Sequence, residues 1–316
     1  MNIISTWICL DDIGEESTYP QVGGDSSAAG FQAVYWRCVF CFFFYGMRHN
    51  PTCSYYLFVN RELDNLEVDG VDLIRALRNL GVNISYVPFT YKLPVGYYGS
   101  WRNQMYEFDV FKYCLENFDE EDRFLLLDSD CIITKPLDKL FQLCAEKGCL
   151  TYKVSLPETY VMNGVTRLDM KELYEMLLGR SIDDVPDYHA GEFAMFTISM
   201  LKTVTAKLDS AFLCMLDRFS KGMTIKFNEE AQFLSYLYYA NGISGGEANS
   251  YIKRLWNSVS FYNITPNDRN LHIWHVPAAK KAGIQKLFAE HRYFGSLNNE
   301  ELINKLHQLL LEKTGK

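Results

Sequence analysis

The chain has 316 residues, 48% hydrophobic and 22% charged, which excludes a disordered or fibrous protein and leaves room for a substantial core. A formal net charge of −8 lacks the basic footprint of a nucleic-acid binder. The most apolar run, Val39 to Met47, falls far short of the roughly 20 residues that span a bilayer.

In chain order, Asn2 to Leu10 reads as a first strand and the polar, glycine-rich Asp11 to Gly24 as a long loop. Ser26 or Ser27 is expected to cap a helix carrying Phe31, Val34, Cys38 and Cys41 at helical spacing. That spacing also accounts for the Cys-x-x-Cys pair without a metal. Ser54 to Val59 reads as a strand, Val71 to Leu80 as a helix closed by Gly81, and Val82 to Val87 as the next strand. Ser100 is placed as the cap of a helix whose apolar face is Trp101, Met105, Phe108, Phe111, Leu115 and Phe118.

Then comes the most informative segment. Phe124 to Leu127 is a short, wholly apolar run, as in a strand covered on both faces, and it delivers Asp128, Ser129 and Asp130. Carboxylates at the exit of such a strand lie where open α/β sheets bind ligands. Two hard oxygen donors there suit Mg²⁺ or Mn²⁺ held together with a diphosphate. A crossover helix runs antiparallel to its strands, so Arg102 and Asn103, in the first turn after Ser100, are expected at the same rim; the alternative for Arg102 is a solvated charge. Thr6 on the first strand, or Asp11 or Asp12 beyond it, is a candidate for a base pocket.

Farther on, Tyr152 to Val154 and Glu192 to Ile198 read as strands and Met170 to Leu178 as a helix. Helices are placed over Ser199 to Phe219 and around Glu229 to Tyr239, a turn at Ser244-Gly245-Gly246, and a short strand at His272 to His275. The tail, with Leu302, Leu306, Leu309 and Leu310, reads as a docked amphipathic helix. Nine cysteines, most in apolar stretches, and no leader ahead of them point to a reduced, cytoplasmic chain; peripheral membrane association stays open. With no linker in evidence, one integrated α/β domain over residues 1–316 is expected, with a Rossmann-type, mostly parallel sheet flanked by helices.

The strand-borne D-x-D behind alternating strands and helices resembles that of nucleotide-sugar glycosyltransferases of the GT-A fold. The segment Tyr188 to Phe193 (YHAGEF) is similar to the HAA-x-F segment of retaining family 6, although Gly191 and Glu192 depart from it. Phe227 to Leu237 (FNEEAQFLSYL) resembles the acidic segments of families 6 and 8, and His275 with Lys280 or Lys281 resembles the late H-x-x-G-x-x-K of family 8 without its glycine. The resemblance implies a nucleotide-binding half, about residues 1–135, and an acceptor-binding half with a C-terminal helix, about 136–316. It implies a metal on Asp128, Asp130 and His275, a UDP-sugar donor contacted by Thr6, Arg102, Asn103, Asp128, Ser129 and Lys280, and an acceptor hydroxyl, from a carbohydrate or other partner, near His189, Ala190 and Gly191. Glu230 is the implied catalytic carboxylate and Glu192 its alternative, with retention favoured over inversion. Two other readings compete. A haloacid-dehalogenase-type phosphotransferase also places D-x-D after a strand, but near its N-terminus and with a small residue where this chain has Ile132. A non-catalytic nucleotide- or carbohydrate-binding protein would need no Glu230.

Overall fold

The computed structural model describes residues 1–258 and 260–312. Its strands are β1 (Asn2–Ile8), β2 (Ser54–Val59), β3 (Glu67–Val68), β4 (Val71–Asp72), β5 (Val82–Tyr86), β6 (Arg123–Leu127), β7 (Cys131–Ile133), β8 (Cys149–Val154), β9 (Tyr188–Thr197), β10 (Ile252–Arg254) and β11 (Ile273–His275). Its α-helices are α1 (Ala29–His49), α2 (Leu73–Asn79), α3 (Tyr106–Asn117), α4 (Asp138–Lys147), α5 (Arg167–Leu178), α6 (Ile198–Thr205), α7 (Leu208–Ser220), α8 (Glu230–Ala240), α9 (Gly283–Ala289), α10 (His291–Ser296) and α11 (Asn299–Leu306). No described helix is long and apolar enough to cross a membrane.

The chain forms two compact units, neither continuous in sequence. Unit 1 takes Met1–Pro88, Leu126–Gln142 and Ser250–Lys316; unit 2 takes Phe89–Leu125 and Leu143–Asn249. Unit 1 is built on parallel strands in the order β5-β2-β1, with Ile3 opposite Ser54 and Tyr55 opposite Val82, and β6, which ends in this unit, follows β1. The β-branched and aromatic run of β2 suits such a covered strand. Helix α1 joins β1 to β2 and is buried on most of its circumference, from Val34 through Tyr45, which is why its sequence lacks a polar face. A second, small sheet in unit 1 sets β11 between β10, parallel, and β7, antiparallel. The α/β class with a parallel core is as the sequence indicated.

Unit 2 holds the antiparallel pair β8 and β9, with β9 next to β6, and packs α8 on β9. The β8–β9 register slips sharply. Thr151 faces Ala194, but Lys153 faces His189, so five steps along β9 match two along β8. The extra residues bulge at Ala190–Phe193, and bulges of this kind re-aim side chains.

Several local expectations are corrected. Ser26 and Ser27 do not cap α1: its N-cap is Ala28, with no side-chain bond, while Ser26 Oγ donates to Asp11 Oδ2 at 2.7 Å and Ser27 bonds Asp25 and Glu16. Ser100 does not start α3. Trp101 adopts a left-handed conformation (φ 48°), Arg102–Met105 form a 3-10 turn, and the α-helix begins at Tyr106. The single helix expected over Ser199 to Phe219 is two, broken at Ala206 and Lys207, and the strand expected at Glu192 begins at Tyr188.

Candidate functional site

Strand β6 ends at Leu127, and a tight turn, Cys131 N–H to Asp128 C=O at 3.0 Å, leads straight into β7. That turn presents Asp128, half-buried, then Ser129 and Asp130, both buried. β7 pairs with β11 so that Cys131 faces His275, and the Val276 N–H donates to the Asp130 carbonyl at 3.1 Å. This register, fixed by the apolar residues Ile132, Ile133, Ile273 and Trp274, carries a distant imidazole to the aspartates. His275 Nε2 lies 3.2 Å from Asp130 Oδ2 and 3.6 Å from Asp128 Oδ2. Lys280, on the short turn after β11, brings its Nζ to 3.3 Å from Asp130 Oδ2.

The electrostatics follow from that crowding. Burial alone would raise the Asp130 carboxyl, but the Lys280 ammonium and the His275 imidazole outweigh it and hold it below the usual carboxylate range. Burial likewise disfavours the Lys280 ammonium, yet Asp130, with smaller help from Tyr35 and Asp128, keeps it above its ordinary value. Of the two lysines named from the sequence, Lys280 is the one at the acids; Lys281 is exposed. Asp128, Asp130 and His275 each offer one ligand atom, all within 4.8 Å of one another. Two carboxylate oxygens and one imidazole nitrogen suit Mn²⁺, and Mg²⁺ less well because of the nitrogen, so the residues present fit a divalent cation.

One member of this site was not read from the sequence. Tyr35, on α1, places its ring 4.9 Å from Lys280 Nζ, and its phenol is pushed up to about 12, chiefly by burial. It stands within an aromatic group with Phe31 and Tyr19. An aromatic in an apolar helix carries no signal that separates it from core.

The remaining candidates of unit 1 are placed as follows. Thr6 is fully buried in β1, paired with Leu57. The Asp11 carboxylate accepts from Ser26, and Asp12 is ion-paired to Arg61 at 3.0 Å.

Comparison with known proteins adds context at this point. No family model matches the chain, and no curated protein matches it. Among solved structures it is similar to the galactosyltransferase LgtC, solved in complex with donor and acceptor sugar analogues, at 13% identity over 98% of this chain and 96% of that one, TM-score 0.47. Mouse xyloside xylosyltransferase 1 is similar at 7% identity over 87% and 97%, TM-score 0.44. GlyE of Streptococcus pneumoniae TIGR4 is similar at 11% identity over 100% of this chain and 65% of its own, TM-score 0.41. The matched structures are glycosyltransferases. Identities this low transfer no role to any residue, so the assignments rest on the geometry.

Unit 2 holds the other candidates, in a second buried polar cluster at the N-terminus of α8. Asn228, Glu229, Glu230 and Gln232 are all buried. Glu229 accepts from the Tyr188 hydroxyl at 2.6 Å and from the Asn163 side-chain amide. Asn163 and Gly164 form a two-residue hairpin turn with φ of 47° and 83°, the type I′ pattern for which an Asn-Gly pair is suited. The turn is tied to the segment before α8 by Asn228 Nδ2 to Asn163 C=O at 2.9 Å and to α8 itself by Gln232 Nε2 to Met162 C=O at 3.0 Å. Glu230 is the first residue of α8, where the helix dipole favours a negative charge. Its carboxylate lies against the backbone of Gly191, inside the β9 bulge that also carries Ala190 and the buried Glu192. His189 is buried, its Nδ1 2.8 Å from Thr151 Oγ1 and its backbone N–H bonded to Ser235 Oγ at 2.9 Å. Arg102 and Asn103, also in unit 2, stand on a 3-10 turn and not on the first turn of an α-helix, where an N-terminus would favour phosphate. Asn163 and Tyr188 were not singled out from the sequence; the Asn-Gly pair was the available signal for the turn.

Proposed function

We propose that the protein is a metal-dependent glycosyltransferase that moves a sugar from a nucleotide sugar, a UDP-sugar, to the hydroxyl of a carbohydrate or other acceptor, with retention. The observation that carries this reading is the convergence of Asp128 and Asp130, from the β6–β7 turn, and His275, from β11, on one cation-sized locus with Lys280 beside it. A divalent cation held there, Mn²⁺ by preference, would supply Lewis acidity to the departing diphosphate. Lys280, charged and held by Asp130 and the Tyr35 ring, is a fixed positive group for the same anion. Ser129, Arg102, Asn103 and Thr6 are assigned to the donor, and His189, Ala190 and Gly191 to the acceptor side.

In this reading Glu230 carries the chemistry at the sugar. A diphosphate leaving group needs no general acid, so the carboxylate acts on the developing oxocarbenium charge or attacks it, which yields retention. Its position at a helix N-terminus favours the negative charge that this task needs. Glu192 is the alternative carboxylate. The cytoplasm is the proposed compartment: all nine cysteines are free thiols and seven are buried.

The experiment is release of UDP from a panel of UDP-sugars by purified protein, with and without Mn²⁺ and with a broad set of acceptors. The expected result is metal-dependent release, lost in Asp130→Ala. Metal-dependent UDP binding with no turnover on any donor or acceptor would overturn the reading in favour of a binding protein. A covalent aspartyl-phosphate would overturn it in favour of a phosphotransferase.

A further inference from the structure

Gly191 stands where the resemblance of YHAGEF would place an acceptor contact, yet a glycine has no side chain to offer one. The structure gives its purpose differently. A Cβ built on Gly191 would overlap the Glu230 Oε1 atom and lie only 3.0 Å from Glu230 Cδ and 3.3 Å from Cγ. The space a side chain would fill is taken by the carboxylate. The bulge in β9 turns this stretch of backbone out of the regular ladder, with Thr151 facing Ala194 and Lys153 facing His189. Ser235 bonds both the N–H and the C=O of His189, two residues away, which pins α8 to this same segment.

We infer that Gly191 is a positioning residue for Glu230: the missing side chain at the β9 bulge is a slot that fixes the carboxylate at the start of α8. The inference rests on the catalytic role proposed for Glu230 and extends it to a residue with no side chain of its own. It also relates a departure from the resembled pattern, the glycine at 191, to the carboxylate at 230 as one complementary pair.

A substitution here is unusually clean. The φ of Gly191 lies outside the left-handed region, so alanine fits the backbone, and the atoms it meets are the far end of a flexible side chain. Gly191→Ala should therefore fold and displace only the carboxylate. The test compares wild type, Gly191→Ala, Glu230→Asp and the double variant for kcat, donor KM and Tm. Expected is a fall in kcat of about tenfold or more in Gly191→Ala, with donor KM changed by less than about twofold. The shorter aspartate should make room for the added methyl, so adding Gly191→Ala to Glu230→Asp should cost less than about twofold. A wild-type kcat in Gly191→Ala, or independent losses that multiply in the double variant, would overturn the inference. The Tm values give a second arm that needs no turnover: Gly191→Ala should lower Tm in the wild-type background and not in Glu230→Ala. Wild-type protein inert on every donor would sink the transferase reading, while the thermal cycle would still decide whether the slot holds Glu230.

Discussion

The two polar clusters of this protein handle buried acids in opposite ways. In unit 1, Asp130 is held by charge, with Lys280 and His275 both within 3.3 Å of one oxygen. In unit 2, Glu229 is held by neutral donors, the Tyr188 phenol and the Asn163 amide, and Glu230 by a helix N-terminus and a glycine slot. The first arrangement concentrates charge that another ion can reorganise. The second fixes the direction of a carboxylate through the Tyr188 hydroxyl and the Asn163 amide. A cation site needs the former and a carboxylate acting on a substrate needs the latter, so the contrast is what a division between leaving-group stabilisation and sugar chemistry would produce.

That contrast can be broken at graded cost. Asp130→Ala removes a ligand and the centre of the ion-pair network, and turnover with Mn²⁺ should fall by about a thousandfold or more, measured as UDP release. Lys280→Met leaves the buried Asp130 without its ammonium partner, and urea unfolding without metal should register a loss of about 3–5 kcal/mol. Mn²⁺ should restore part of that loss, because a cation that binds only the native state stabilises it.

A pH test probes a buried imidazole of unit 2. Burial holds the His189 imidazole down at about 4 from 6.5, so the native state refuses a proton that the unfolded chain accepts. His189 then takes nothing from stability above pH 6.5, a growing amount as pH falls toward 4, and a constant amount below it. The full difference is on the order of 3 kcal/mol, and His189→Gln should flatten the unfolding free energy across that window. The smallest expected effect is that of Tyr188→Phe, which removes one hydrogen bond to Glu229 and should cost about 2 kcal/mol at pH 7 in the same urea titrations.

How much of this was legible in the sequence differs between the clusters for a physical reason. Asp128 and Asp130 were plain because an apolar strand of β6 delivers them, a local pattern. His275 was visible only as a near match, since its place depends on the long-range pairing of β11 with β7. Tyr35 was hidden because its role as a ring under Lys280 uses the same residue type as the core around it. The unit 2 cluster was legible through the resemblance of YHAGEF and FNEEAQFLSYL, but its internal geometry was not. The glycine of YHAGEF is a weak local signal for the bulge in β9, and the Gly191–Glu230 fit exists only between elements distant in sequence. Local capping rules failed at Ser100, where Trp101 turns left-handed, and at Ser26, whose hydroxyl is bonded to Asp11 instead. At Ser26 a tertiary partner outranked the local preference.

The central claim is that Asp128, Asp130 and His275 hold a cation on which a nucleotide diphosphate depends. Calorimetric titration of UDP into the protein, with and without Mn²⁺, tests it most directly. Affinity should rise about tenfold or more with Mn²⁺ in the wild type, and that gain should vanish in both Asp130→Ala and His275→Ala. Equal affinity with and without the ion, or a gain that survives both substitutions, would contradict it.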